Sequence, residues 1–287
     1  RRAAAPAIPP DESLAQRLLP RAAVRLLVAF LAAALAALPA PHTFARTIVV
    51  VGANQSYNWA GYVQGALEKN ATFHSIAADW IVPTVTQRRA GEAEYSSTWI
   101  GIGGGCVDAS CAVGDATLIQ AGIEHDVDAA GNASYSAWWE TIPAPAVRID
   151  GFVVRPGDRV HVDIAEDPLV PELWTIAVRD LDSGSSFALT LPYPSTYATA
   201  EWILETPVVI DDAGNVSVGP MPDVANVRFD YATTNGANAA LVDSEEMQLV
   251  DFDLSLIALP SRPDKTADGF NDCSFQKNCP PPGGPLR

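Results

Sequence analysis

Lysine is nearly missing from this chain: Lys69, Lys265 and Lys277 are the only three among 287 residues. Basic residues number 18 against 34 acidic ones, for a net charge of −16. A surface of that sign is poorly built to neutralise a row of phosphates, so nucleic acid is not an expected partner. Histidine is also scarce. After residue 45 there remain His74, His125 and His161, none in a nucleophile-elbow context, which leaves a serine triad without its base. No His-Glu-x-x-His block offers a zinc site. An aspartic-peptidase pair needs Asp-Thr-Gly or Asp-Ser-Gly twice, and the lone Asp182-Ser183-Gly184 reads as a turn. No apolar run reaches the ~20 residues that span a bilayer. Helical periodicity is nearly absent after residue 45, and no repeat of fixed period is visible. No metal and no organic cofactor is expected.

What is present begins with acidity. In acid the carboxylates neutralise and few basic groups remain to repel one another, so the composition suits an acidic medium; it serves solubility equally well. Residues 1–45 read as a leader with an export signal. Arg21 and Arg25 precede the apolar run Leu26–Leu38, then small residues with Pro39 and Pro41, and cleavage after Ala40 or Ala45 fits. A secreted, extracellular chain with no stable membrane anchor is expected. The four cysteines form two close pairs, which in a secreted chain read as local disulfides Cys106–Cys111 and Cys273–Cys279. Neither pair has zinc-knuckle spacing or a neighbouring histidine. After Leu259 the composition turns rich in proline and glycine. Residues 261–287 are expected to form a poorly ordered tail, leaving 46–260 as one domain.

Within that domain, short runs rich in β-branched and aromatic residues alternate with Gly, Pro, Asn and Asp, the pattern of an all-β sandwich. Expected strands include Trp59–Val63, Tyr95–Ile102, Ala116–Ile123, Ser134–Ile142, Val147–Phe152, Thr199–Leu204, Ala240–Val242 and a long Leu249–Leu259; Asp212–Asn215 reads as a hairpin turn. Strand alternation puts Gln120 on one face with Leu118, groups Ser136, Trp138 and Glu140, and aligns Glu201, Ile203 and Glu205. One concave face gathering Gln120, Trp138, Glu140 and Glu201 would be a groove with aromatic walls. A carboxylate beside a carboxamide can activate water and stabilise an oxyanion. Three functions remain open on these residues: peptide hydrolysis by Gln120 and Glu201, glycoside hydrolysis by Glu140 and Glu201, and a lectin-like module that stacks sugars on tryptophan.

Seven blocks then stand in a familiar order: Asn58-Trp-Ala-Gly-Tyr62, Trp80-Ile-Val-Pro83, Ser97-Thr-Trp-Ile-Gly-Ile102, Leu118-Ile-Gln-Ala-Gly122, Tyr135-Ser-Ala-Trp-Trp-Glu140, Arg155-Pro-Gly-Asp158 and Ala200-Glu-Trp-Ile203. Together they resemble the glutamic peptidases, the eqolisins, over about residues 57–256. The resemblance implies a concanavalin-like β-sandwich of two antiparallel sheets and an acid endopeptidase with Gln120 and Glu201 as its dyad. It also implies that Trp99 and Glu140 line or support the site; Trp138 lies on an adjoining strand. Protein or peptide substrates and a monomer are expected. The chain departs from the family in an inserted Gly103–Cys111 stretch, and in Gly103 and Ser136 where family members commonly carry aspartate. With no cation expected nearby, Glu201 should ionise near its ordinary value of ~4.3. Loss of Glu205, on the same strand face, is expected to be mild.

Overall fold

Period-two alternation builds two layers of antiparallel strands in the computed structural model, which describes residues 47–108, 110–210 and 216–286. One layer runs, in spatial order, Glu246–Val250, Trp59–Gly65, Thr199–Glu205, Ser97–Gly103, Leu118–Val127 and Ala133–Ile142, with the short Val147–Arg148 at its edge. The other runs Ser186–Pro192, Leu173–Asp180, Arg159–Glu166, Ser75–Ile81, Asn226–Thr234, Phe270–Ser274, Leu256–Pro260 and again Glu246–Val250. That last strand pairs on both sides, so one continuous sheet folds over on itself. The sandwich expected from the sequence is the fold observed.

Between the layers lies the core. Trp202, Ile100 and Ile119 from one layer meet Trp80, Ile164 and Phe229 from the other, all buried. Fully burying side chains of this size stabilises by roughly 1.5–3 kcal/mol each. The Trp202 indole N–H crosses the gap to donate to the Ala77 carbonyl at 3.2 Å, so the ring's polar atom is not stranded. The described α-helix is a single turn, Ala66–Lys69, ended by Asn70 in the left-handed region at φ 49°.

Several boundaries differ from the sequence reading. Leu249–Leu259 is two strands, because Asp251 and Ser255 close a turn between Glu246–Val250 and Leu256–Pro260. Val147–Phe152 keeps only its first two residues as strand. Ala240–Val242 leads into a short 3₁₀ turn at Asp243–Glu245. The larger correction concerns residues 261–287. Far from a loose tail, they supply Phe270–Ser274, buried throughout and paired on both edges. The Leu286 N–H then donates to Asp230. Both disulfides are formed as expected, Cys106–Cys111 and Cys273–Cys279. The expected leader and the Asp212–Asn215 turn lie outside the described residues. Among the described residues no helix is long and apolar enough to cross a membrane.

Candidate active site

Register alone brings the candidate residues together. Across the first layer, Val63, Glu201, Gly101, Gln120 and Glu140 are successive cross-strand partners. Directly opposed residues in a sheet project to the same face, so all five line one row. Gly101 carries no side chain, which leaves a gap between Glu201 and Gln120. At ~4.8 Å per strand their backbones stand about 9.6 Å apart. Between them the sheet carries only the Gly101 backbone, and the Leu118 and Trp99 side chains close over it. The gap must stay glycine: a Cβ at Gly101 would meet Leu118 Cδ1 at 2.9 Å and the Trp99 ring at 3.0 Å.

Gln120 and Glu140 are fixed to each other. The Gln120 Nε2 donates to Glu140 Oε2 at 2.6 Å. Its second N–H and its Oε1, which has no partner, are free for other work. Burial pushes the Glu140 carboxyl up to about 7, against the opposing pull of that Gln120 bond. Glu201 is wholly buried, and neither carboxyl oxygen has a well-formed hydrogen bond. Burial raises its pKa well above the ordinary carboxylate value, and the charge of Asp115 adds to the rise; the Thr199 hydroxyl opposes it weakly. The expectation that Glu201 ionises near its ordinary value is therefore corrected. It rested on the absence of a cation and left out desolvation, which dominates here.

One turn of alternation along the strands lies an apolar floor of Ile203, Trp99 and Trp138, packed with Trp59, Val63, Leu118 and Met247. Trp99 is fully buried and meets Trp59 edge-on at 4.9 Å, while its indole N–H donates to Glu205 Oε2 at 2.7 Å. Trp138 donates to the Ser97 hydroxyl at 2.9 Å and borders a hollow of about 60 Å³ with Glu124, Asp126 and Glu205. Glu205 is buried as well, so its loss is not expected to be mild. Burial pushes its carboxyl up to about 8, and it anchors Trp99. Gln120, Glu140, Glu201, Trp99 and Trp138 all come to one face, but Trp99 forms the floor and Glu140 holds Gln120. For a glycosidase pair Glu140 and Glu201 would have to face each other. Gln120 and Gly101 stand between them in the row.

Two parts of the site were not singled out from the sequence. Asp115 lies buried beside Glu201, and the backbone at Gly105 passes directly over the Glu201 carboxyl. The run Gly103-Gly-Gly105 was the available signal, since glycine marks close backbone approach. Asp115-Ala-Thr117 was a second, a side-chain-capped turn just before a strand.

This sheet geometry is shared with known proteins. A model of the Peptidase A4 family matches residues 57–256. Aspergillopepsin-2 from Aspergillus niger is 23% identical over 221 residues, which are 68% of this chain and 72% of that protein. Among solved structures, scytalido-glutamic peptidase with a transition-state analog inhibitor superposes with a TM-score of 0.56 at 16% identity, covering 76% of this chain and 98% of its own. SCP-B, an eqolisin in complex with the tripeptide Ala-Ile-His, gives 0.52 at 16% identity over the same shares. At that identity the likeness speaks for the fold, while the family match spans most of the chain. The chain belongs to the Peptidase A4 family, the glutamic peptidases that its seven blocks resemble, and is a hydrolase of peptide bonds.

Proposed function

We propose that the protein is a secreted endopeptidase of acidic media in which Glu201 and Gln120 activate one water between them. The observation that carries this reading is the row Glu201–Gly101–Gln120, with both functional side chains buried, both presenting unpartnered oxygens, and a glycine between them in the row. The water oxygen attacks the scissile carbonyl carbon as the ionised Glu201 takes its proton. The free Gln120 N–H donates to the oxyanion, and its Oε1 accepts from the water. Glu201 then passes the proton to the leaving nitrogen, and the C–N bond breaks to give a carboxylic acid and an amine. Secretion is supported by the two disulfides, which persist in oxidising compartments.

The raised pKa of Glu201 sets the sign of the pH profile. Activity needs the ionised base, so its acid limb lies above the ordinary carboxylate range and not at ~4.3. At the other end, ionisation of the buried carboxyls loosens the fold. The window opens above the ordinary carboxylate range and closes as Glu140 and Glu205 ionise, at about 7 and about 8. Digestion of a denatured protein from pH 2 to 8 tests the reading, with Glu201→Gln as its control. Cleavage confined to the acid side, lost by about 10²–10⁴-fold in the variant, is the expected result. No cleavage at any pH, or a variant keeping more than a few per cent of the rate, would sink it.

A further inference from the structure

The inserted segment after Gly103 does more than lengthen a loop. Gly105 lies over Glu201: a Cβ there would stand 3.2 Å from Glu201 Oε2, 3.2 Å from Thr199 Oγ1 and 2.6 Å from Val63 Cγ1. The Gly105 N–H donates to Thr199 Oγ1 at 3.1 Å, and its carbonyl accepts from the Asp115 N–H at 2.8 Å. Cys106 and Gly114 form a bridge beside it. The Asp115 side chain is itself held still. Its Oδ1 accepts from the Thr117 N–H at 2.9 Å and the Thr117 hydroxyl at 3.0 Å, and its Oδ2 accepts from the Thr196 hydroxyl. A buried carboxyl group fixed by three donors is thereby tied to the backbone that lies over Glu201, whose own carboxyl oxygens lack well-formed hydrogen bonds.

We propose that Gly105 and Asp115 are positioning residues for Glu201: Gly105 as a backbone roof that excludes bulk water, and Asp115 as a fixed charge that holds the Glu201 proton. The groups facing Glu201 are consistent with this. Val63 and Gly101, its partners on the two flanking strands, carry no charge. Gln120 is neutral, and Glu140 lies beyond it. Thr199 and Ile203, next to Glu201 on its own strand face, are uncharged, and Glu205 lies further along, past Ile203. Asp115, held by its N–H to the carbonyl of the Gly105 that lies over Glu201, is the acidic residue this loop brings to the site, and after burial its charge adds to the rise of the Glu201 pKa. An uncharged residue at 115 therefore makes the Glu201 proton easier to lose, moving its titration to lower pH.

The inference rests on Glu201 being the base, and its test separates the two. The carboxyl carbon of Glu201 is followed by ¹³C NMR against pH, its signal identified by loss in Glu201→Gln, in the wild type and in Asp115→Asn. Asp115→Ser serves if the asparagine variant does not fold. The expected result is a Glu201 titration displaced to lower pH, with the acid limb of kcat/KM moving alongside it. An unmoved titration overturns the role of Asp115. A titration that moves while the acid limb stays put upholds Asp115 as a positioning residue and overturns Glu201 as the base. Gly105→Ala tests the roof: displacing Glu201 by even part of an ångström should lower kcat on the order of 10²-fold, with KM little changed. Wild-type kcat in a folded Gly105→Ala protein would refute the roof.

Discussion

The two outer faces of this sandwich treat their carboxyls in opposite ways. On the Ser75–Ile81 and Arg159–Glu166 strands, Asp79 accepts from Arg159 at 2.5 and 2.8 Å and sits 2.6 Å from His161, while Asp163 meets His161 and Arg179. Burial pushes the Asp79 carboxyl up, but the hydrogen bonds from His161 and Arg159 outweigh it and hold it below its usual range. His161, between Asp163 and Asp79, is raised to about 9. On the face that carries Gln120 and Glu201, the carboxyls of Glu140, Glu201 and Glu205 have no ion-pair partner among the described residues, and burial drives all three up. One face spends its cations on stability. Among the described residues the other has none to pair, and its buried carboxyls are left chiefly to desolvation.

The largest expected effect separates the faces by function. Glu201→Gln should lower peptide hydrolysis by about 10²–10⁴-fold while leaving the melting temperature at pH 4 unchanged or raised, since it replaces an unpartnered buried acid with a neutral isostere. Asp79→Asn should do the reverse, sparing kcat and lowering stability at pH 7. Comparable losses of rate from both variants would mean that the comparison is wrong.

The next effect is the pH dependence of the whole fold. For a carboxyl with a raised folded pKa, the stabilisation is fully present below the unfolded value near 4 and is lost as pH climbs through the folded value. Glu140 and Asp126 place that loss near 7, and Glu205 near 8. The melting temperature should therefore be higher at pH 4 than at pH 8, by at least about 5 °C for a few kcal/mol in a domain of this size. Glu205→Gln should flatten that slope, because glutamine mimics the protonated acid and still accepts from Trp99. Glu205→Ala should be costly, orphaning the Trp99 N–H, and not mild as its strand position suggested. A melting temperature that rises from pH 4 to pH 8 would contradict the assignment of these carboxyls as desolvated and without a cation.

The strands and faces of the candidate site could be read from the sequence, but the contrast between the two faces could not, and the cause is physical. Alternation is local, so Gln120, Trp138, Glu140 and Glu201 could be assigned faces from their own strands, and the ordered blocks supplied the fold. What alternation cannot give is what lies above a face. Gly105, whose backbone lies over Glu201, and Asp115, which is bonded to it, arrive through a loop. The Phe270–Ser274 strand was hidden for a related reason. Its short apolar signal sits in a proline-rich setting, and its stability comes from two partner strands far away in the chain. Desolvation is a tertiary property, and so the direction of the shift at Glu140, Glu201 and Glu205 was out of reach.

The smallest effects grade the ion-paired face internally. Arg159 is the less exposed arginine and gives Asp79 Oδ2 two donors, whereas Arg179 is about half exposed and meets Asp163 once at 2.9 Å. Arg159→Met leaves the buried Asp79 with only His161, which should cost about 1–3 kcal/mol at pH 7. Arg179→Gln removes a solvent-screened pair and should cost about 0.5 kcal/mol. The sign of the pH dependence separates them further. Because Asp79 is held below its usual range, its contribution is present above the unfolded value near 3.8 and disappears as pH falls through the lowered one. The gap between wild type and Arg159→Met should therefore narrow in acid, while the Arg179→Gln variant stays close to wild type throughout. Urea denaturation at pH 7 and at pH 2.5 reads both. Equal losses from the two arginines at pH 7 would mean that exposure does not grade this face, and a gap that widens in acid would mean that Asp79 is not its anchor.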